Sequence, residues 1–188
     1  IEADVARLRG QLEDRLELAG DIRSALRLRA TTYEENGFLG LAWDAYQEAL
    51  DLEPENPILF YRSAVVGARY AQAQLDEAER TRLLADAERL YARALELDPE
   101  YEEAAYGLAV LYSFELDEPA AALEAVQTAL SVDPRDERTR LLLGRVFAQL
   151  GRLSDAAEVY ADLSQSATSD AVRTAARENE RQLREVLR

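Results

Sequence analysis

The sequence has no cysteine, no histidine and no lysine. Without cysteine there is no disulfide framework, thiolate zinc site or thiol nucleophile, although the compartment stays open because both reducing and oxidising environments tolerate the lack. The missing histidine removes the commonest general base and the commonest transition-metal ligand. All 22 basic residues are arginine, so no amine is available for a Schiff base or a phosphate loop. A phosphate-binding glycine loop, a dinucleotide fingerprint and a calcium-loop spacing are also missing. The acid pairs Glu34-Glu35, Glu102-Glu103 and Asp117-Glu118 are expected at helix ends or on exposed faces, where capping and the helix dipole account for them. The reading is a chain without catalysis, cofactor or bound metal.

No apolar run reaches the roughly 18 residues of a membrane-spanning helix, so no direct insertion is expected. The formal net charge is −15 and it is unevenly spread. Residues 1–56 hold 13 acids and 6 arginines, residues 57–134 hold 15 and 6, and residues 135–188 hold 9 and 10. An acidic body argues against nucleic acid and anionic lipid as partners. Opening at Ile1 without methionine, the chain is expected to be a fragment, and its localisation, cytoplasmic or periplasmic, stays open.

What is present is a recurring corner. Leu97-Asp98-Pro99 ends one helical pattern and Tyr101 opens the next, and similar endings fall at Gly20, Pro54 and Pro134. Proline blocks helix continuation and pushes the residue before it to extended geometry. Successive endings lie 34, 45 and 35 residues apart, a period that marks a repeat architecture.

The first stretch carries Ile1, Val5, Leu8, Leu12 and Leu16 at helical spacing. Two readings compete. In one, Val5, Leu8, Leu12, Ala19, Ile22 and Leu26 form a coiled-coil seam interrupted by Arg15. In the favoured one, Arg15–Gly20 is a corner and the stretch is the second helix of a truncated upstream repeat, with a new helix starting at Asp21. Asn36-Gly37 is expected to end that helix in a left-handed turn, and Leu39–Leu52 to follow as a helix. Asn56-Pro57 reads as an N-cap followed by an N1 proline. Between Pro54 and Pro99 there are eleven residues more than the 34-residue spacing, so each helix there is expected to be one to two turns longer, with a turn at Gln74-Leu75-Asp76. A polar linker is expected at Ser164–Asp170, followed by a capping helix over Ala171–Leu187 whose stripe is Val172, Ala175, Ala176, Leu183 and Leu187.

The order of small and aromatic residues resembles the tetratricopeptide repeat family, in its bacterial form. It is carried by Leu26, Ala30, Tyr33, Gly37, Ala42, Tyr46, Ala49 and Pro54, and again by Ala105, Leu108, Ala109, Tyr112, Ala122, Val126, Ala129 and Pro134. Leu143, Gly144, Phe147, Gly151, Ala156, Tyr160 and Leu163 carry it a third time. Independently of the family, alanine and glycine at helix crossings allow close approach, and an aromatic from the neighbour fills the space beside them.

The resemblance implies an all-α, right-handed solenoid of antiparallel helix pairs, with about three full repeats, an N-terminal partial repeat and a C-terminal capping helix. The divisions are 1–22 (partial), 23–56, 57–101 with lengthened helices, 102–136 and 137–169, then 170–188 for the cap. It further implies a concave groove lined by the first helix of each repeat, with Arg27, Thr31, Tyr61, Val65, Tyr106, Val110, Leu141 and Arg145 facing a ligand. The family's clamp for a terminal carboxylate uses Lys and Asn at such positions, and neither is present there. The expected partner is therefore an apolar or amphipathic segment of a protein or peptide, anchored on Tyr61 and Tyr106. The alternatives are self-association through the N-terminal helix or the solenoid ends, giving a homo-oligomer, and service as a regulatory arm of a larger protein.

Overall fold

The computed structural model describes residues 2–186, with side chains described from residue 7 onward; Ile1, Leu187 and the side chain of Val5 therefore lie outside the described residues. Among the described residues the chain forms nine α-helices and nothing else of regular structure. They are α1 (Glu2–Glu35), α2 (Leu39–Leu52), α3 (Pro57–Gln72), α4 (Glu77–Leu97), α5 (Glu102–Phe114), α6 (Pro119–Val132), α7 (Glu137–Gln149), α8 (Leu153–Ser166) and α9 (Asp170–Val186). Each packs on its chain neighbours, and α3–α5, α5–α7 and α7–α9 also touch directly. No even-numbered pair does so to the same extent, so the array curves toward the odd-numbered layer.

Local chemistry sets the boundaries. Asn56 caps α3 by accepting from the Ile58 and Leu59 amides, with Pro57 in the first turn. Asp76 does the same for α4, its Oδ1 accepting from the Glu79 amide at 3.0 Å. Between paired helices the chain turns through left-handed geometry at Gly37 (φ 76°) and Gly151 (φ 73°), which glycine adopts without steric cost. Asp117 (φ 53°) takes that role in the α5–α6 turn.

Two sequence expectations are corrected at the N-terminus. The Arg15–Gly20 stretch is no corner, because α1 runs unbroken from Glu2 to Glu35. Nothing there resembles the prolines that follow α2, α4 and α6, and a lone glycine inside a helix costs only about 1 kcal/mol relative to alanine. The residues expected to be a partial repeat are thus the front half of one helix. At about 1.5 Å per residue α1 is roughly 50 Å long, and the 14-residue α2 covers only its C-terminal portion. Leu8, Leu12, Leu16 and Leu18 ahead of that portion are 57–62% exposed.

In the second repeat the turn falls where expected, but the excess length is uneven. With 21 residues α4 is about two turns longer than the 14 of α6, whereas α3, at 16, gains less than one turn over the 13 of α5. The polar linker is also shorter than expected. Helix α8 continues to Ser166, and Ser164 and Ala167 are buried beneath α9.

Most of the core is one cluster running from Ala30 to Val146, and a second smaller one joins Ala156, Tyr160, Leu163, Val172, Ala176 and Leu183 under α9. Glu34 is no solvated acid. Its carboxylate accepts from the Tyr46 hydroxyl at 2.7 Å and lies 3.7 and 3.8 Å from Arg62 and Arg69, with only 12% of its side chain exposed. Burial and this bonded carboxylate both push the Tyr46 phenol up.

Candidate functional site

Two close approaches position the odd-numbered layer. A Cβ on Gly107 of α5 would stand 2.6 Å from the Tyr91 ring of α4, and one on Gly144 of α7 would stand 2.5 Å from the Tyr160 ring of α8. A side chain at either position would force the facing ring to shift, so glycine fits both crossings as they stand. The helices are also linked by polar contacts. Ser113 donates to Gln149 Oε1 at 2.8 Å, and Gln149 Nε2 returns a bond to the Ser113 carbonyl at 2.8 Å.

Between α5, α7 and α9 this arrangement leaves an open cavity of about 560 Å³. Tyr106 and Phe114 come from α5, Leu141, Leu142 and Ala148 from α7, and Leu183 and Val186 from α9. Polar groups converge on it as well. Arg138 sits over the Tyr106 ring at 4.7 Å and Arg145 over the Phe114 ring at 4.0 Å. Such cation–π stacking holds the guanidiniums in place without neutralising them. The bond between Arg138 and the Tyr106 hydroxyl keeps that guanidinium protonated even more firmly than usual. Burial raises the Tyr160 phenol, opposed by the positive Arg145 and by a hydrogen bond with Asn179.

No Asp or Glu lines the cavity, although the chain carries 37 of them. Among the described residues neither Arg138 nor Arg145 has a carboxylate within ion-pair reach. Other arginines are neutralised where they stand: Arg27 by Glu53 at 2.8 Å, Arg80 by Glu115 at 3.1 Å and Arg140 by Asp162 at 2.5 Å. A second hollow of about 420 Å³, walled by Trp43, Phe60 and Leu90, is crossed by Arg82–Asp86 and Arg89–Asp86 pairs and so offers no free charge there.

Of the eight residues expected to face a ligand, Tyr106, Leu141 and Arg145 line this one cavity. Val110 is half-buried against the main core. Tyr61 and Val65 pack against that core too, Tyr61 with its ring 6.2 Å from Tyr91 and 5.1 Å from Tyr101. Arg27 is held by Glu53, and the Thr31 hydroxyl donates back to the carbonyls of Arg27 and Leu28. Sequence reasoning passed over Phe114, Arg138, Asn179 and Gln182. The usable signal was the order of elements, because α9 follows a complete helix pair and so takes the place of the next inner-layer helix.

A tetratricopeptide repeat family model matches residues 114–171. A thermophilic tetratricopeptide repeat protein of Thermus thermophilus, TTC0263, superimposes with a TM-score of 0.70 at 19% identity, covering 84% of this chain and 80% of that one. The fold is that of the tetratricopeptide repeat. MamA protein is similar at 22% identity and a TM-score of 0.69, over 89% of this chain and 87% of its own. The first tetratricopeptide domain of Spaghetti (RPAP3), solved bound to an HSP90 peptide, is similar at 21% identity and a TM-score of 0.59, over 69% of this chain and 93% of its own. Among curated protein sequences none matches this one. At these identities the likeness carries the tetratricopeptide architecture alone. Among the described residues no group of acids could hold a metal ion, and no helix is long and apolar enough to cross a membrane.

Proposed function

We propose that the chain is a non-catalytic interaction scaffold that holds an apolar or amphipathic segment of a protein or peptide in its concave groove, at the α5–α7–α9 cavity. The observation that carries this reading is the cavity's lining, an apolar and aromatic floor with two guanidiniums stacked on it and no acid. Ligand pockets in general combine such a floor with a few fixed polar groups. A similar domain solved with a bound peptide supports the same use of the fold. Tyr106, Leu141 and Arg145 contact the segment, and Tyr61 acts from within the stack as a support for α5.

A displayed library of random linear peptides, selected on the wild-type chain, tests the proposal. Enriched peptides should lose binding to Leu141→Glu while that variant keeps its helical circular dichroism. Failure to enrich any peptide, or binding that ignores Leu141→Glu, removes the groove as the site.

A further inference from the structure

Helix α7 carries three arginines, and they divide by face. Arg140 points to α8, where Asp162 accepts from it. Arg138 and Arg145 stand at the α5–α7–α9 cavity and, among the described residues, have no carboxylate within ion-pair reach. Stacking on a ring does not account for that, because Arg152 lies 4.2 Å over Phe147 and still pairs with Asp155 at 2.6 Å. Nor does a shortage of acid, since the chain has 37 acidic residues. Residues 135–188, which supply most of the lining, hold 9 acids against 10 arginines, whereas the rest of the chain is strongly acidic. The cavity is thus a local positive site on a chain of net charge −15, and it attracts an anionic ligand.

The geometry narrows the kind of anion. The two arginines are seven residues apart on one face of α7, about 10 Å at 1.5 Å per residue. Their guanidiniums rest on Phe114 and Tyr106, with Leu141 and Leu142 between them. One compact anion, a phosphate or a chain-terminal carboxylate, cannot engage both at that distance. An extended segment covers it in about three to four residues at 3.3 Å each, and its alternate side chains share a face. The Asn179 and Gln182 amides, reaching in from α9, suit the backbone groups that an extended segment leaves unpaired. We propose that the groove's ligand is an extended internal segment of a partner protein in which two Glu or Asp residues, four apart, flank one apolar residue. The two carboxylates meet Arg138 and Arg145, and the apolar side chain between them enters the floor at Leu141. This rests on the groove reading above and names the chemistry of its ligand.

Peptide display on the full chain tests the pairing, with nine random residues held between fixed Gly-Ser tails so that no chain terminus is on offer. Wild-type selections should enrich two acids four apart around an apolar residue. Selection on Arg138→Glu/Arg145→Glu, with circular dichroism confirming its fold, should replace those acids with Lys or Arg at the same spacing. The enriched wild-type peptide, made with an amidated C-terminus, should bind about 10-fold more weakly to Arg138→Gln or to Arg145→Gln. Changing its two acids to Gln should abolish that difference. Enriched peptides that lack acids, or whose affinity ignores both arginine variants, overturn the proposal. If Leu141→Glu still abolishes their binding, the groove reading survives and only this ligand class is removed. A reversed variant that goes on selecting acids, or binding that needs a free C-terminal carboxylate, also overturns the proposal. A library from which nothing is enriched removes the groove reading and this inference together.

Discussion

Tyr61 and Tyr106 hold matching places in successive inner-layer helices, yet their surroundings make them different residues. Tyr61 is enclosed by two other rings, Tyr91 and Tyr101, and its phenol is raised by burial. Tyr106 stands at the mouth of a cavity under a single guanidinium. The difference originates in the second repeat, where α4 places Tyr91 against Gly107, whereas the matching place in α6, eight residues before its proline, is Val126. Matching register on a repeat therefore specifies which way a side chain starts out, and the residue that the neighbouring helix presents decides whether it meets solvent or another ring.

The sharpest way to break this contrast is at the crossing itself. Gly107→Val drives a side chain into the Tyr91 ring, which is only 4% exposed, and is expected to cost at least the roughly 1–3 kcal/mol typical of overpacking. Urea unfolding measures it, with Gly10→Ala, which meets nothing within 4 Å, as the harmless control. Alkaline pH attacks the same region through its protons. Burial pushes the Tyr101 phenol up to about 12, with the neighbouring Tyr61 and Glu103 adding to it, and burial with the Glu88 contact does the same for Tyr112. A phenol that holds its proton more tightly when folded stabilises the fold fully below about pH 10, and that contribution disappears as the pH climbs toward 12. Urea midpoints should accordingly be flat up to about pH 10 and fall beyond it, whereas an unchanged midpoint at pH 11 would show that the cluster titrates freely.

Next in size is the pair of truncations. Tyr61→Ala should lower stability by about 1–3 kcal/mol through the two lost ring contacts. Tyr106→Ala should lower it by less than about 1 kcal/mol while reducing peptide capture at the cavity. If the two variants traded these effects, the contrast between an inner and an outer tyrosine would be wrong. The smallest expected effect is at Asp117→Gly, which relieves a left-handed aspartate and should raise the midpoint slightly, by about 0.5–1 kcal/mol in a thermal or urea melt.

The architecture was legible because its signals are local. Asn56-Pro57, Asn36-Gly37 and Asp76 act within one turn of themselves, and each sits at the boundary it announced. Gly20 shows the limit of that method. Its neighbours copy the later corners in letters, but the proline of those corners is missing and the chain stays helical through Gly20. The cavity was only half legible, since Tyr106, Leu141 and Arg145 follow from the repeat register whereas Arg138 and Asn179 depend on how α9 closes over α7. Glu34 lies at a helix end as expected, but its partners were not legible for a similar reason. Its role comes from Tyr46, Arg62 and Arg69 on two other helices, and no spacing within its own helix records them.

Trp43 adds a consequence for anyone watching this chain unfold. It is the single tryptophan, 8% exposed in α2, and its ring lies where a Cβ on Gly67 of α3 would stand. Its emission therefore reports on the seam between the first two helix pairs and is blind to the small cluster beneath α9. Far-ultraviolet ellipticity sums over every helix. In a linear stack each unit is held only by its neighbours, and the terminal cluster is free to melt on its own schedule. Superimposed fluorescence and ellipticity curves would mean that the array melts as one; a gap between them would give the α8–α9 end its own melting temperature.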